Sequence, residues 1–186
     1  MSQKKPHIDS LLQQCLNQDA TAQLKIYESY YRSMYNTALR IVKDSKEAED
    51  VMQNSFLNAF TKLHTFKGEV PFGAWLKRIV INNSIQHYNT RKKKNTVSLN
   101  DHMYKAEDTD AIEGDSIETA AMAQKVVATM NTLNDNYRIS LTLHFIEGYD
   151  YEEICGIMNI SYANCRTMIS RAKESLRKKL SYEHAK

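Results

Sequence analysis

The sequence predicts an all-α protein: two small helical domains joined by an acidic flexible linker. Three observations carry this reading. Apolar residues recur at helical spacing through nearly the whole chain. Helix breakers are scarce, with Gly 5 and Pro 2 in 186 residues, and turn dipeptides are few. One stretch, residues 95–117, breaks the pattern. It is nearly free of apolar side chains and carries Asp101, Glu107, Asp108, Asp110, Glu113 and Asp115. Such a segment cannot bury enough surface to fold, so it reads as a linker. Stretched out, it spans several tens of ångströms at roughly 3.3–3.6 Å per residue. The expected organisation is an N-terminal extension over 1–18, a first domain over 19–94, the linker over 95–117 and a second domain over 118–182.

Met1 to Lys5 is a polar start, expected to be loose. Ile8, Leu11, Leu12, Cys15 and Leu16 share one helical face and predict a short helix. Asp19 is placed to cap the next one. That helix shows a broad apolar stripe of Leu24, Tyr27, Tyr30, Tyr31, Met34, Tyr35, Ala38, Leu39 and Val42. Its tyrosines read as core or half-core rather than as a stacking platform. Asp44 opens a third helix, and Glu47, three residues on, completes a capping box. The inner face is Ala48, Val51, Met52, Ser55, Phe56, Ala59, Phe60 and Leu63; the outer face shows Glu47, Asp50, Gln53, Asn54 and Asn58. A loop over 64–70 contains Gly68, and Pro71 suits a first helical turn. The helix after it turns Trp75, Leu76, Ile79 and Val80 inward and runs out into Arg91, Lys92, Lys93 and Lys94. Beyond the linker, Ala120, Ala123, Val126, Val127 and Met130 mark one helix. Tyr137, Ile139, Leu141, Leu143, His144 and Phe145 mark another, which turns at Gly148.

Residues 150–180 then read as two helices joined by a tight corner. Asp150 and Glu153 form a capping-box pair. Ile154, Cys155, Ile157 and Met158 give the first helix an apolar face. Asn159 tolerates the left-handed backbone that ends a helix; Ile160 plugs the corner and Ser161 caps the restart. The second helix buries Cys165, Met168, Ile169, Ala172 and Leu176. Its other face carries Tyr162, Asn164, Arg166, Thr167, Ser170, Arg171 and Lys173, with no carboxylate before Glu174. A polar-basic helix held at an angle by a short supporting helix is how a helix-turn-helix reads the major groove. Periodicity alone leaves open an ordinary helical hairpin with a solvated basic face.

The net charge of +3 is mild. Its distribution is not: one basic run lies at residues 91–94, another at Arg171, Lys173, Arg177, Lys178 and Lys179, with acids between. Separated basic patches suggest two contacts with a polyanion, although charge runs usually just face water. The three cysteines, Cys15, Cys155 and Cys165, form no CxxC. Cys155 and Cys165 read as small core residues, with pairing across the corner conceivable. The odd count and the lack of a signal peptide predict a cytoplasmic protein. No apolar run approaches membrane-spanning length, so no membrane insertion is expected. The six histidines are scattered, and no Walker loop or GxSxG is present. The expectation is a protein that is not an enzyme and has no cofactor, metal site or small-molecule substrate.

A helical domain, an acidic tether and a helix-turn-helix in this order resemble the extracytoplasmic-function sigma factors of bacteria, the promoter-specificity subunits of RNA polymerase. In the first domain the resemblance rests on Ala48-Glu49-Asp50, Gln53 and Phe56, then Trp75-Leu76 and Arg78-Ile79 with Asn82. In the second it rests on Leu133, Arg138, the run Tyr151-Glu152-Glu153-Ile154, and Arg166 with Ser170-Arg171-Ala172. Each motif is weak alone; their order and separation are specific. The sequence departs from the family at Asn159, where Gly is usual, and at Cys155 and Cys165, where Ala and Val are usual.

The resemblance implies two helical modules, a region-two bundle and a region-four helix-turn-helix. It implies that Glu49, Asp50, Gln53 and Asn54 face core RNA polymerase, with acidic rim charge setting orientation and on-rate. It implies that the helix after Pro71 grips the non-template strand of a −10 element. There Lys77, Arg78, Arg91 and Lys92 serve as phosphate cations; Asn82, Asn83 and Gln86 serve as polar edges, with Asn82 reading a base. Phe66 and Phe72 line the adjoining loop, and Trp75 belongs to the core. At a −35 duplex, Arg166 is assigned a base edge because its fork matches guanine. Ser161, Tyr162, Asn164, Thr167 and Ser170 divide between bases and phosphates, and Arg171 and Lys173 hold the backbone. Ala163, small where the family often has Gly, keeps the helix start close to DNA. The implied partners are core polymerase, promoter DNA and an anti-sigma factor. A stand-alone helix-turn-helix regulator, binding operator DNA as a dimer, is the second reading. It requires a dimer surface or sensor domain, and the first domain has no ligand-binding motif or heptads.

Overall fold

The computed structural model describes residues 5–95 and 117–184. Among these residues every regular element is helical, and the chain divides into two compact units on either side of residue 101. The acidic linker, apart from its two end residues, lies outside the described residues.

The first unit holds α1 (Lys5–Leu16), α2 (Ala20–Val42), α3 (Ser45–Thr61), a short 3-10 turn (Leu63–Thr65) and α4 (Phe72–Asn95). Helices α2, α3 and α4 pack mutually, and α1 lies along α2. Asp19 caps α2 as expected, its Oδ1 accepting from Thr21 N at 2.8 Å and Ala22 N at 3.1 Å. Lys43 ends α2 in the left-handed region at φ 61. Helix α1 starts earlier than its apolar spacing suggested, and Leu16 is 43% exposed. The core face of α2 is Ala22, Ile26, Met34, Thr37, Ala38, Ile41 and Val42. Leu24 and Tyr31, placed in the stripe from sequence, point out of it. A stripe drawn through every apolar residue of so tyrosine-rich a helix is wider than the contact two neighbouring helices can cover.

The α3/α4 contact is made close by small polar residues. Ser55 and Ser84 are buried and return their hydroxyls to Val51 O at 2.6 Å and Val80 O at 2.7 Å. Leu76, Val80 and Ile81 are fully buried beside them. Gly73 lets Tyr30 lie close to α4: a Cβ there would sit 2.8 Å from Tyr30 Cε1 and push the ring aside.

Trp75 is half-buried, not core; Phe72 is core, at 4% exposure. Phe72, in the first turn of α4, meets Tyr30 edge-on at 5.6 Å and also meets the loop through Phe66 at 5.7 Å. Trp75 is left at the loop side, tilted against Phe66 at 5.3 Å.

The second unit holds α5 (Ile117–Asn131), α6 (Asp135–Leu141), a wide π-type turn (Thr142–Ile146), α7 (Tyr151–Met158) and α8 (Tyr162–His184). Helix α8 packs on α5, α6 and α7. Residues 138–143 are all buried, so the middle of the unit is a helix surrounded on every side. Phe145, one of the residues that marked this helix in the sequence, is 56% exposed. The extra residue of the wide turn, closed by Glu147 N to Thr142 O at 3.0 Å, rotates it out of the core.

The corner forms as its residues dictate. Asp150 Oδ1 accepts from Glu153 N at 2.8 Å and Glu153 Oε2 accepts from Asp150 N at 3.0 Å, a complete capping box. Asn159 ends α7 at φ 53, ψ 53. Ser161 Oγ accepts from Asn164 N at 3.4 Å and starts α8.

Candidate nucleic-acid and polymerase interfaces

On α4, Arg78, Asn82 and Gln86 are four residues apart and form one row. Asn82 and Gln86 are exposed, and Lys77 and Arg78 are half-buried. Two other candidates are occupied. Asn83 Nδ2 donates to the buried Ser55 Oγ at 2.9 Å, so this amide ties α4 to α3. Arg91 Nη1 donates to Glu47 Oε2 at 2.7 Å. Lys92 is exposed, its Nζ 5.9 Å from the Tyr88 ring. The capping box expected at Asp44 closes one way: Asp44 Oδ1 accepts from Glu47 N at 2.9 Å, while Glu47 Oε2 reaches across to α4. Sequence reasoning missed this because Glu47 and Arg91 are 44 positions apart.

The outer face of α3 presents Glu49, Asp50, Gln53 and Asn54, all exposed, with Gln53 Nε2 donating to Glu49 Oε1 at 3.1 Å. Leu57, at i+4 from Gln53, lies on the same face and is 65% exposed, a residue the polar pattern hid. Tyr31 of α2 is 45% exposed and stacks on Tyr27, whose ring meets Phe56 of α3 at 4.8 Å. An acidic and amide face with apolar side chains at its margin has the composition of a protein-docking surface rather than of a polyanion site.

On α8, Ser161, Tyr162, Asn164, Arg166, Thr167, Ser170 and Arg171 are exposed, and Lys173 is half-buried. The row stays accessible because Cys165, Ile169, Ala172 and Leu176 anchor the opposite face. Ser161 is engaged as the cap, and Thr167 Oγ1 donates back to Ala163 O at 2.9 Å. Lys173 Nζ lies 3.5 Å from Tyr151 Oη and 5.1 Å from the Phe145 ring centre, so its ammonium is held at the α7 edge. Glu174 is drawn to Lys178 at 2.8 Å, which lowers its pKa. The arrangement offers two planar guanidinium forks, one ammonium and several neutral donors on a single helix face, which suits a DNA groove.

Behind that face Cys155 and Cys165 are both free thiols. Cys165 Sγ donates to Tyr151 O at 3.7 Å. Burial, then the hydrogen bond and charge of Cys155, push the Cys165 thiol up from 9.0 to about 11. The folded state therefore keeps a proton that the unfolded chain releases between those two values. The Cys165 contribution to the second unit's stability is fully present below the lower value and is lost as pH rises through the upper one. Melting curves collected across that interval check this, and Cys165→Val flattens the decline.

No described helix is long and apolar enough to cross a membrane, and among the described residues no group of three or more His, Cys, Asp or Glu could hold a metal ion.

The Sigma-70 region 2 family matches residues 26–94, and the Sigma-70, region 4 family matches residues 123–176. The RNA polymerase sigma-H factor of Pseudomonas aeruginosa is 33% identical over 162 residues, covering 81% of this chain and 82% of that protein. The ECF RNA polymerase sigma factor SigM of Bacillus subtilis is 29% identical over 153 residues, covering 82% and 91%. Among solved structures, the sigma factor RpoE in complex with the anti-sigma factor NepR from Bartonella quintana superposes with a TM-score of 0.60 at 20% identity, covering 84% and 95%. CnrH in complex with the cytosolic domain of CnrY gives 0.54 at 20% identity, covering 92% and 96%. The two regions occur once each, in order, on the two helical units, and the chain belongs to the extracytoplasmic-function sigma factors of RNA polymerase.

Proposed function

We propose that this protein is a cytoplasmic sigma factor, without catalytic activity of its own, that directs core RNA polymerase to promoters with −10 and −35 elements. The observation that carries the reading is the pairing of a region 2 match with a region 4 match, each on its own helical unit. Residues 19–94 act as the polymerase- and −10-binding module and residues 118–182 as the −35-binding module. Glu49, Asp50, Gln53 and Asn54, joined by Leu57, meet polymerase. Lys77, Arg78, Asn82, Gln86 and Lys92 follow the −10 strand; Asn83 and Arg91 support the helix that carries them. The exposed face of α8 enters the −35 groove, with Arg166 on a base edge and Arg171 and Lys173 on phosphates. By analogy with the complex of RpoE with the anti-sigma factor NepR, an anti-sigma protein holds the chain inactive.

Run-off transcription from a pool of genomic fragments tests this. Specific transcripts are expected only when core polymerase and this protein are both present. A chain that never co-elutes with core polymerase, or co-elutes and leaves start sites unchanged, sinks the reading. Tight sequence-specific duplex binding by the free protein, together with a dimer in sedimentation, would favour the stand-alone regulator.

A further inference from the structure

We propose that Glu47 is a carboxylate gate on the nucleic-acid face of α4: it neutralises Arg91 and so sets how many strand phosphates this helix contacts. The inference rests on the reading of α4 as the −10 strand helix.

The geometry is specific. Glu47 stands in the first turn of α3, where a carboxylate is favoured by the helix dipole, and its backbone N–H is fixed by Asp44 at 2.9 Å. Its Oε2 accepts from Arg91 Nη1 at 2.7 Å, and His87 Nε2 lies 3.3 Å from the same oxygen. The side chains are only part-covered, 35% exposed for Arg91 and 26% for Glu47. A pair this accessible contributes little to stability, so removing Glu47 frees the guanidinium without unfolding the unit.

This pairing leaves a signature in salt dependence. A free arginine that meets a phosphate releases a condensed counterion. An arginine held by Glu47 meets no phosphate and releases none. While it stays on Glu47, Arg91 is therefore nearly silent in the salt dependence of the unchanged protein. Lys92, on the exposed side of the same turn, has no such acidic neighbour within ion-pair distance among the described residues. With Glu47 neutral, Arg91 joins the phosphate set.

The test measures binding of a fluorescein-labelled oligo-dT strand to the full-length chain by anisotropy over a range of salt. Glu47→Gln should bind no more than about fivefold tighter at low salt. Its slope of log K against log salt should steepen by about 0.7, the value for one more phosphate on single-stranded DNA. Arg91→Ala should leave the slope of the unchanged protein almost as it was, and the double variant should match Arg91→Ala. A purely structural ion pair predicts the opposite sign, weaker binding on loss of Glu47. Arg91→Ala flattening the unchanged protein's slope by that same amount overturns the gate, and this comparison needs no Glu47 variant to fold. An unchanged slope or no measurable binding for folded Glu47→Gln also overturns it. Core-dependent transcription by the unchanged protein is read separately, so a failed gate and a failed sigma assignment are distinguishable.

Discussion

Arg138→Ala should unfold the second unit well before the first. Arg138 is 1% exposed on α6, donating from Nη2 to Asp135 Oδ1 at 3.0 Å. Truncation removes most of a long side chain from a helix buried on every side. The nearest comparison is a large-to-small core substitution, which costs about 2–5 kcal/mol. Asp135 is 45% exposed, so water takes over its carboxylate and the loss of the ion pair adds little. A helical unit of this size has only about 3–10 kcal/mol of stability to lose. Its melting midpoint should therefore fall by roughly 10–30 °C. Calorimetry of the full chain checks this, because the first unit's transition should stay in place. Leu24→Ala is the control: Leu24 is 56% exposed on α2, and its loss should stay within about 0.5 kcal/mol. Equal shifts for the two variants would show that Arg138 is not structural.

Arg166→Ala should leave folding untouched and alter promoter choice. Arg166 is exposed on α8 one residue beyond Cys165, which is fully buried, so its backbone is fixed while its fork is presented outward. A bidentate arginine–guanine contact is worth about 1–3 kcal/mol of discrimination. Transcription from promoters varied one base pair at a time within the −35 element should lose roughly 5- to 150-fold discrimination at a single position. Arg171→Ala, removing a phosphate contact, should weaken all promoters alike and reduce the salt dependence. If Arg166→Ala also weakens every sequence equally, Arg166 contacts phosphate and base reading lies elsewhere on α8.

The caps and the corner were legible because they are written in adjacent residues. Asp19, Asp150 with Glu153, Asn159 and Ser161 each do in the structure what their side chains do locally. The exposed row on α8 was legible because its apolar partner row repeats at helical spacing. Burial in α2 was less so: Leu24 and Ile26 are both apolar, yet one is 56% exposed and the other 0%. Which of them meets α3 and α4 depends on how the helices cross. The exposure of Phe145 was not legible because a periodicity argument assumes a constant turn, and the wide turn over Thr142–Ile146 breaks it.

The sequence by itself determined the helices, their caps, the two-unit division and the basic face of α8, all of which follow from neighbours within one or two turns. Only the tertiary structure decided which polar side chains remain available to a partner. Asn83 turns to Ser55 and Arg91 to Glu47, while Leu57 stays exposed on a polar face. The physical reason is distance along the chain. A cation is neutralised by whatever carboxylate folding brings within reach, and one 44 residues away leaves no local trace.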